Sequence, residues 1–387
     1  MYLQQQNQGL LTSKLQNQGI FLSPIVMNSA VIQRPSCSNL TAPILTHAPS
    51  TPLMTTINLQ NQSSPFIIKG QVLNVNPNDL RFHTGFWDIK NFYYDERNDL
   101  IAEGGFGKIF RGRHRLTSAT FAIKKVNRKS LVPNGSNESY LSREIGIQMN
   151  INHPNIVRLY TFYSNSEDTF LIMENCEGGT LSEKLEYGRL DEMTAFRIFI
   201  QIASAVKFLH ENNVAHRDIK TENILFDTKG HPKLADFGWA NKINPGELRK
   251  TFCGTYEYMS PEMIRECGHD KTIDVWALGV LLYEMLHGHS PFNPISSLPE
   301  SQQKLLIFSK ILSQNYSISP NLSLSPECVN IITRLLHPNH HSRLTIDQIF
   351  THPWIRKMEP LARQILGFEE NLKEENERRK LRKMGAF

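Results

Sequence analysis

The chain has 387 residues, and its 42 Lys and Arg against 37 Asp and Glu leave a net charge of +5. That is too small to argue for direct nucleic-acid binding without a localised basic patch, and the central region carries none. Five widely spaced cysteines, Cys37, Cys176, Cys253, Cys267 and Cys328, include no CxxC pair, so no zinc or redox centre is indicated and a reducing compartment fits best.

No stretch reaches the roughly 18 apolar residues that a bilayer span needs, and the N-terminus lacks a charged region followed by an apolar one. A soluble intracellular protein with no membrane contact is expected.

Residues 1–80 contain four charged side chains, Lys14, Arg34, Lys69 and Asp79, against 19 Gln and Asn. Gln6-Asn7-Gln8-Gly9 is repeated as Gln16-Asn17-Gln18-Gly19. Such a composition buries too little apolar surface to offset ordering, so 1–85 reads as a Gln/Asn-rich disordered tail. From Trp87 the pattern changes: charges appear, apolar residues recur at strand and helix spacing, and Gly and Pro sit at element ends.

Thr120 to Lys124 and Thr169 to Met173 read as strands, and Ala195 to Leu209 as a helix. Strands early and helices later predict an α+β, bilobal domain over 95–355, with a small sheet-rich lobe holding one helix and a larger helical lobe. Residues 356–387, with nine basic and six acidic side chains, read as a charged extension in a solvated helix, or as a docking or nuclear-import element.

The first chemical signal is Ile101-Ala102-Glu103-Gly104-Gly105-Phe106-Gly107-Lys108-Ile109. Its glycines fall where a strand turns back, and backbone N–H groups can approach phosphates there without Cβ interference. Alone, such a hairpin is more often structural. Ala102 occupies the first glycine position of GxGxxG, while Gly104 and Gly107 remain.

Seventeen residues after Gly107, Ala122-Ile123-Lys124 sets an ammonium on a strand, where it can pair with α- and β-phosphates. Glu144, in Ser142-Arg143-Glu144-Ile145, begins a helical pattern and can hold that lysine.

The decisive signal is His216-Arg217-Asp218-Ile219-Lys220-Thr221-Glu222-Asn223, followed 18 residues after Asp218 by Asp236-Phe237-Gly238. Phosphoryl transfer requires a hydroxyl aligned with the γ-phosphate, a carboxylate for its proton, and oxygen ligands for Mg²⁺. Asp218 suits the base, Asn223 and Asp236 the metal ligands, and Lys220 neutralises developing phosphate charge. Thr255 to Glu262, Asp274 to Gly279 and Arg343 read as mainly structural, with Glu262 and Arg343 expected as a buried ion pair.

In this motif order the sequence resembles the eukaryotic protein kinase superfamily, from the glycine loop to His352-Pro353-Trp354-Ile355. The resemblance implies ATP and Mg²⁺ as cofactors, Met173 as the residue gating the nucleotide pocket, and Glu174 to Cys176 as the hinge along adenine. Lys220 resembles the serine/threonine type. Arg143-Glu144-Ile145-Gly146-Ile147-Gln148, Asp236-Phe237-Gly238-Trp239 and Arg249-Lys250-Thr251-Phe252-Cys253-Gly254-Thr255 are most similar to the Aurora group.

Departures from that group are Ala102, Thr221 in place of the usual proline, Ala240 in place of serine, and Ser260 before Pro261-Glu262. They bear on the subgroup, not on the enzyme class.

The resemblance further implies an activating phosphate on Thr251 bound by Arg217, protein substrates with basic residues upstream of Ser or Thr received by Glu222, and an activating or localising protein partner. It also implies residence in cytoplasm or nucleus, at spindle, centrosome or chromosome. The alternatives are a NIMA-like or calcium/calmodulin-type kinase and a non-catalytic scaffold. No EF-hand loop pattern follows the domain, and every catalytic position holds a competent residue.

Overall fold

The computed structural model describes residues 67–68, 71–72, 89–104, 107–128, 137–243, 255–293 and 297–367. A two-strand ladder pairs β1 (Ile67–Ile68) with β2 (Gln71–Val72). The domain proper is α+β and bilobal. In its small lobe β3 (Phe92–Tyr93) and β4 (Leu100–Gly104) share one edge of β5 (Gly107–His114), followed by β6 (Thr120–Asn127), β8 (Asp168–Met173) and β7 (Leu159–Ser164), all antiparallel.

The period-2 alternation of a strand decides what each face of β6 buries. Phe121 and Ile123 join Phe92, Phe170 and Ile172 on one face. Ala122 and Val126 join Leu141, Leu159, Leu171 and Met173 on the other. Lys124 lies between Ala122 and Val126 in this alternation and so faces α1 (Asn137–Gln148), the α-helix of this lobe among the described residues. That helix starts seven residues before Glu144, earlier than the sequence pattern indicates. With few apolar residues in its first turns, nothing in the spacing marks where it begins.

The two lobes are sewn together by the segment entering β7. Val157 N–H donates to Leu234 O at 2.9 Å and Leu234 N–H to Asn155 O at 2.8 Å. Asn155, buried, donates its amide to Gln201 Oε1 and to Pro232 O at 3.1 and 2.9 Å.

The large lobe contains α2 (Leu181–Glu186), α3 (Glu192–Glu211), α4 (Pro261–Ile264), α5 (Thr272–His287), α6 (Glu300–Ser313), α7 (Pro326–Leu335), α8 (Ile346–Phe350) and α9 (Pro353–Lys357). Asp191 caps α3 by accepting from Thr194 N–H at 2.9 Å. The central α5 is buried along nearly its whole length and mostly apolar, with the Asp274 and Glu284 carboxylates as its acidic exceptions, and it ends at Gly288 with φ +77°. At Gly279 it approaches α7 so closely that a Cβ would lie 2.8 Å from Leu335 Cβ.

Glu192 ties α3 to two distant segments: it accepts from Ser325 N–H at 2.8 Å, Ser325 Oγ at 2.6 Å and Trp354 Nε1 at 2.8 Å. The segment after 356 is not wholly solvated, as the sequence reading has it. Met358, Leu361, Ala362, Ile365 and Leu366 pack on the core of the large lobe, an apolar stripe concealed among the charges.

Arg343 reaches Glu262 in a bidentate pair, Nη1 to Oε1 at 2.7 Å and Nη2 to Oε2 at 2.9 Å, with both side chains buried. Burial alone would raise the Glu262 carboxyl, but Arg343 outweighs it and holds the group below the ordinary glutamate range. Replacing Glu262 with alanine strands a buried guanidinium and is expected to cost about 3–5 kcal/mol. Urea unfolding of the two proteins checks this, and a loss below about 1 kcal/mol, the scale of a surface pair, would contradict it.

Candidate active site

The order of motifs becomes a constellation because one loop and the short strands flanking it bring them together. The loop follows β9 (Val214–Ala215), runs through His216 to Asn223, and enters β10 (Ile224–Phe226), which pairs with β11 (Pro232–Leu234) two residues ahead of Asp236. Its backbone is not relaxed. Arg217 has φ +71° and Asp236 φ +59°, left-handed values that a non-glycine residue keeps only when its surroundings insist.

Asp274, at the start of α5, supplies much of that insistence. Its carboxylate accepts from His216 N–H and Arg217 N–H, each at 2.9 Å, and from His210 Nε2 at 2.8 Å. Burial opposes its charge, yet these donors keep its carboxyl below the usual aspartate range. His216 is buried against Phe237, with ring centroids 4.9 Å apart. Its Nδ1 accepts from Asp218 N–H and its Nε2 donates to Ala235 O, so the ring is neutral, and burial pushes its pKa down.

These supports present Asp218, Lys220 and Asn223 together. Asn223 Nδ2 donates to Asp218 O at 2.7 Å and to Asp218 Oδ2 at 2.9 Å. With the nitrogen so committed, its carbonyl oxygen is the atom left for another ligand. Lys220 Nζ lies 3.5 Å from Asp218 Oδ2 and donates to Thr255 Oγ1 at 2.9 Å.

From the small lobe, Lys124 reaches down to Glu144 Oε1 at 2.7 Å and to Asp236 Oδ1 at 3.6 Å. Burial lowers an ammonium's pKa, but the two carboxylates reverse this and raise it. In turn Lys124, together with Gly238 N–H, overcomes the burial of Asp236 and holds that carboxyl below its ordinary range. Asp236 is therefore anionic at neutral pH.

Beside these charges Ala122, Met173, Cys176, Ile109, Leu225 and Ala235 belong to one apolar cluster, which adjoins Lys124 through Ala122 and Asp236 through Ala235 in sequence. Burial pushes the Cys176 thiol up to about 12, so it stays protonated and is a poor nucleophile. Glu174 accepts from Lys233 Nζ at 2.5 Å and from Arg158 N–H at 3.2 Å, which pins the chain leaving β8 to both lobes.

In the small lobe, Gly104 pairs with Gly107 to close the β4–β5 hairpin. Ile101, Ala102, Glu103 and Lys108 lie exposed along it, and Ala102 faces Ile109 across a register shift. Gly107 has φ +129°, and a Cβ there would come within 2.3 Å of Lys125 O. Gly105, Phe106 and Thr251 lie outside the described residues.

Arg217 donates to His269 Nε2 at 3.2 Å, and burial together with that guanidinium pushes His269 down to about 4.

The sequence reading treats Thr255, Tyr258 and Asp274 as structural, yet Thr255 and Asp274 hold catalytic-loop residues directly. Leu225 and Glu284 it passes over. Leu225 is visible only as an apolar residue two positions beyond Asn223. Glu284 carries no local signal, because it reaches the loop from the far end of α5.

Chemically, the apolar cluster offers surface that suits a flat heterocycle, and the hairpin and Lys124 suit phosphates. The Asp236 carboxylate and Asn223 carbonyl oxygen are hard donors of the kind Mg²⁺ takes alongside phosphate oxygens and water. Among the described residues no three His, Cys, Asp or Glu side chains could hold a metal ion by themselves. A site that completes its coordination with substrate phosphates needs no such group.

The chain matches the protein kinase domain family over residues 96–355. An Aurora kinase of Dictyostelium discoideum is 39% identical over 272 residues, covering 70% of this chain and 67% of that protein. One of Candida glabrata is 32% identical over 318 residues, covering 80% and 85%. Aurora kinase B of Danio rerio is 34% identical over 261 residues, covering 66% and 77%. With likeness at this level along most of its own length and of theirs, the chain belongs to the protein kinase family and, within it, to the Aurora group of serine/threonine kinases.

Proposed function

We propose that residues 95–355 transfer the γ-phosphoryl group of ATP to protein serine and threonine hydroxyls through the roles read for Asp218, Lys124, Glu144, Lys220, Asn223 and Asp236. The observation that carries this reading is Lys124, held by carboxylates from two different elements, one of them the Asp236 that would carry the metal. Magnesium, when bound by Asp236 and Asn223, neutralises charge on the phosphates.

Asp218, oriented by the Asn223 amide, accepts the proton of the substrate hydroxyl as that oxygen bonds to the γ-phosphorus and the bond to the bridging oxygen of the leaving diphosphate breaks. Lys220, anchored on Thr255, offsets negative charge on the transferred group. Glu144 keeps Lys124 aimed, and the hairpin over Ile101 to Ile109 shields the phosphates from water.

The substrates we propose carry a basic residue upstream of the acceptor, received by Glu222 with Glu284 close by. Burial pushes the Glu284 carboxyl up to about 7 against the Tyr258 hydrogen bond, and Glu222 and Glu257 add to the rise. A guanidinium would relieve that concentration of like charge.

Thr251, preceded by Arg249-Lys250, is the proposed acceptor of an activating phosphate that competes with His269 for Arg217. The proposed setting is cell-cycle control at spindle, centrosome or chromosome, with an activating or localising partner and with the 1–85 tail and the charged extension as targeting segments. Among the described residues no helix is long and apolar enough to cross a membrane.

Transfer from ATP to a basic serine peptide tests the central reading. Asp218→Asn is expected to lower kcat by about 10²–10⁴, the range of a general base. Retention of more than about a tenth of wild-type kcat would refute the assignment.

The pH dependence tests the substrate reading. Glu284 is neutral below about 7 and anionic above it, so KM for an arginine-containing peptide should fall as pH rises from about 6 to 8, while that of its alanine counterpart does not follow. Parallel profiles for the two peptides would rule Glu284 out as receiver.

A further inference from the structure

Thr221 occupies the position after Lys220 where the resemblance places proline. Proline has neither a backbone N–H nor a side-chain hydroxyl, and here both groups are used. Thr221 N–H donates to the Tyr258 hydroxyl oxygen at 3.3 Å. Its Oγ1 lies 3.2 Å from Glu222 Oε2 and 3.4 Å from Glu284 Oε1. Tyr258 in turn donates its hydroxyl to Glu284 Oε2.

Thr221 is buried, whereas Glu222 is exposed, so a fixed hydroxyl stands beneath a side chain that would otherwise sample many rotamers. The same turn carries Lys220 and Asn223, so the network sits beside the base that receives the acceptor hydroxyl.

We propose that Thr221 is a specificity-positioning residue, whose N–H on Tyr258 and hydroxyl between Glu222 and Glu284 hold two carboxylates together as one receiver for a basic substrate side chain. This rests on the basic-substrate reading given above. A single hydroxyl hydrogen points at one carboxylate at a time, so Thr221 tethers Glu222 while Tyr258 tethers Glu284. Both acids are then oriented before the substrate arrives, and less side-chain freedom is lost on binding. Threonine at 221 therefore acts on the discrimination between basic and neutral peptides more than on the transfer step.

The test uses the full chain and two serine peptides identical except that an upstream arginine in one is alanine in the other. Thr221→Val keeps the shape and the N–H and removes the hydroxyl. Thr221→Pro removes both groups, and Thr221→Ser restores both.

The wild type is expected to favour the arginine peptide in kcat/KM. Thr221→Val should cut that preference by about five- to tenfold through KM, roughly 1.0–1.4 kcal/mol of discrimination. Thr221→Pro should cut it further, and Thr221→Ser should keep it.

A preference unchanged in both Thr221→Val and Thr221→Pro overturns the proposal, as does an equal loss on both peptides, which marks a purely structural residue. A wild type that transfers phosphate to both peptides equally well overturns the basic-substrate reading itself, and this inference with it.

Discussion

The site depends on one buried ammonium. Lys124 is fixed to β6 by the sheet register, to α1 through Glu144, and to the large lobe through Asp236. A lysine taken out of water is tolerable only with compensation, and two carboxylates supply it. The compensation is reciprocal: without Lys124, Glu144 would be an uncompensated buried acid and Asp236 would lose the partner that keeps it ionised. The placing of Glu144 on α1 and the charge state of the candidate metal ligand thus both depend on this one interaction, which adds a contact between lobes already joined at Val157 and Leu234.

The large lobe solves a second problem, that of holding a loop in conformations it would not adopt alone. Left-handed φ at Arg217 and Asp236 stores strain, and the loop's N–H groups have no ladder to join. Asp274 meets both needs by accepting two consecutive N–H groups while His210 shares its charge. It can do so because α5 is buried along nearly its whole length, which fixes where Asp274 stands. The Glu262–Arg343 pair steadies the neighbouring α4 in the same way. A catalytic loop held by buried groups of the helical lobe and a buried charged junction at Lys124 fit a site whose chemistry is mainly positioning and charge neutralisation.

Much of this was legible in the chain because phosphoryl transfer constrains residue types at short spacings. Asp218, Lys220 and Asn223 fall within six residues, and Asp236 follows two residues after the adjoining strand. The bilobal α+β order followed from strands preceding helices. What the spacing could not show were contacts made across the fold: Asp274 reaches His216 over 58 positions, and Glu284 reaches Thr221 over 63. The start of α1 was hidden because its first turns are polar, and the packing of Leu361, Ala362 and Ile365 was hidden among charged neighbours. In the sequence Thr221 stands out only as a departure from proline, since its meaning lies in partners that the sequence does not bring near.

The most direct test of the account is a double-mutant cycle at its central junction, measuring kcat/KM for ATP in Lys124→Met, Glu144→Gln and the double variant. If Glu144 acts by aiming Lys124, the two losses overlap and the cycle shows a coupling of about 1–3 kcal/mol. Strictly additive losses would mean that the two side chains work independently, and the junction would not be the organising contact of the site.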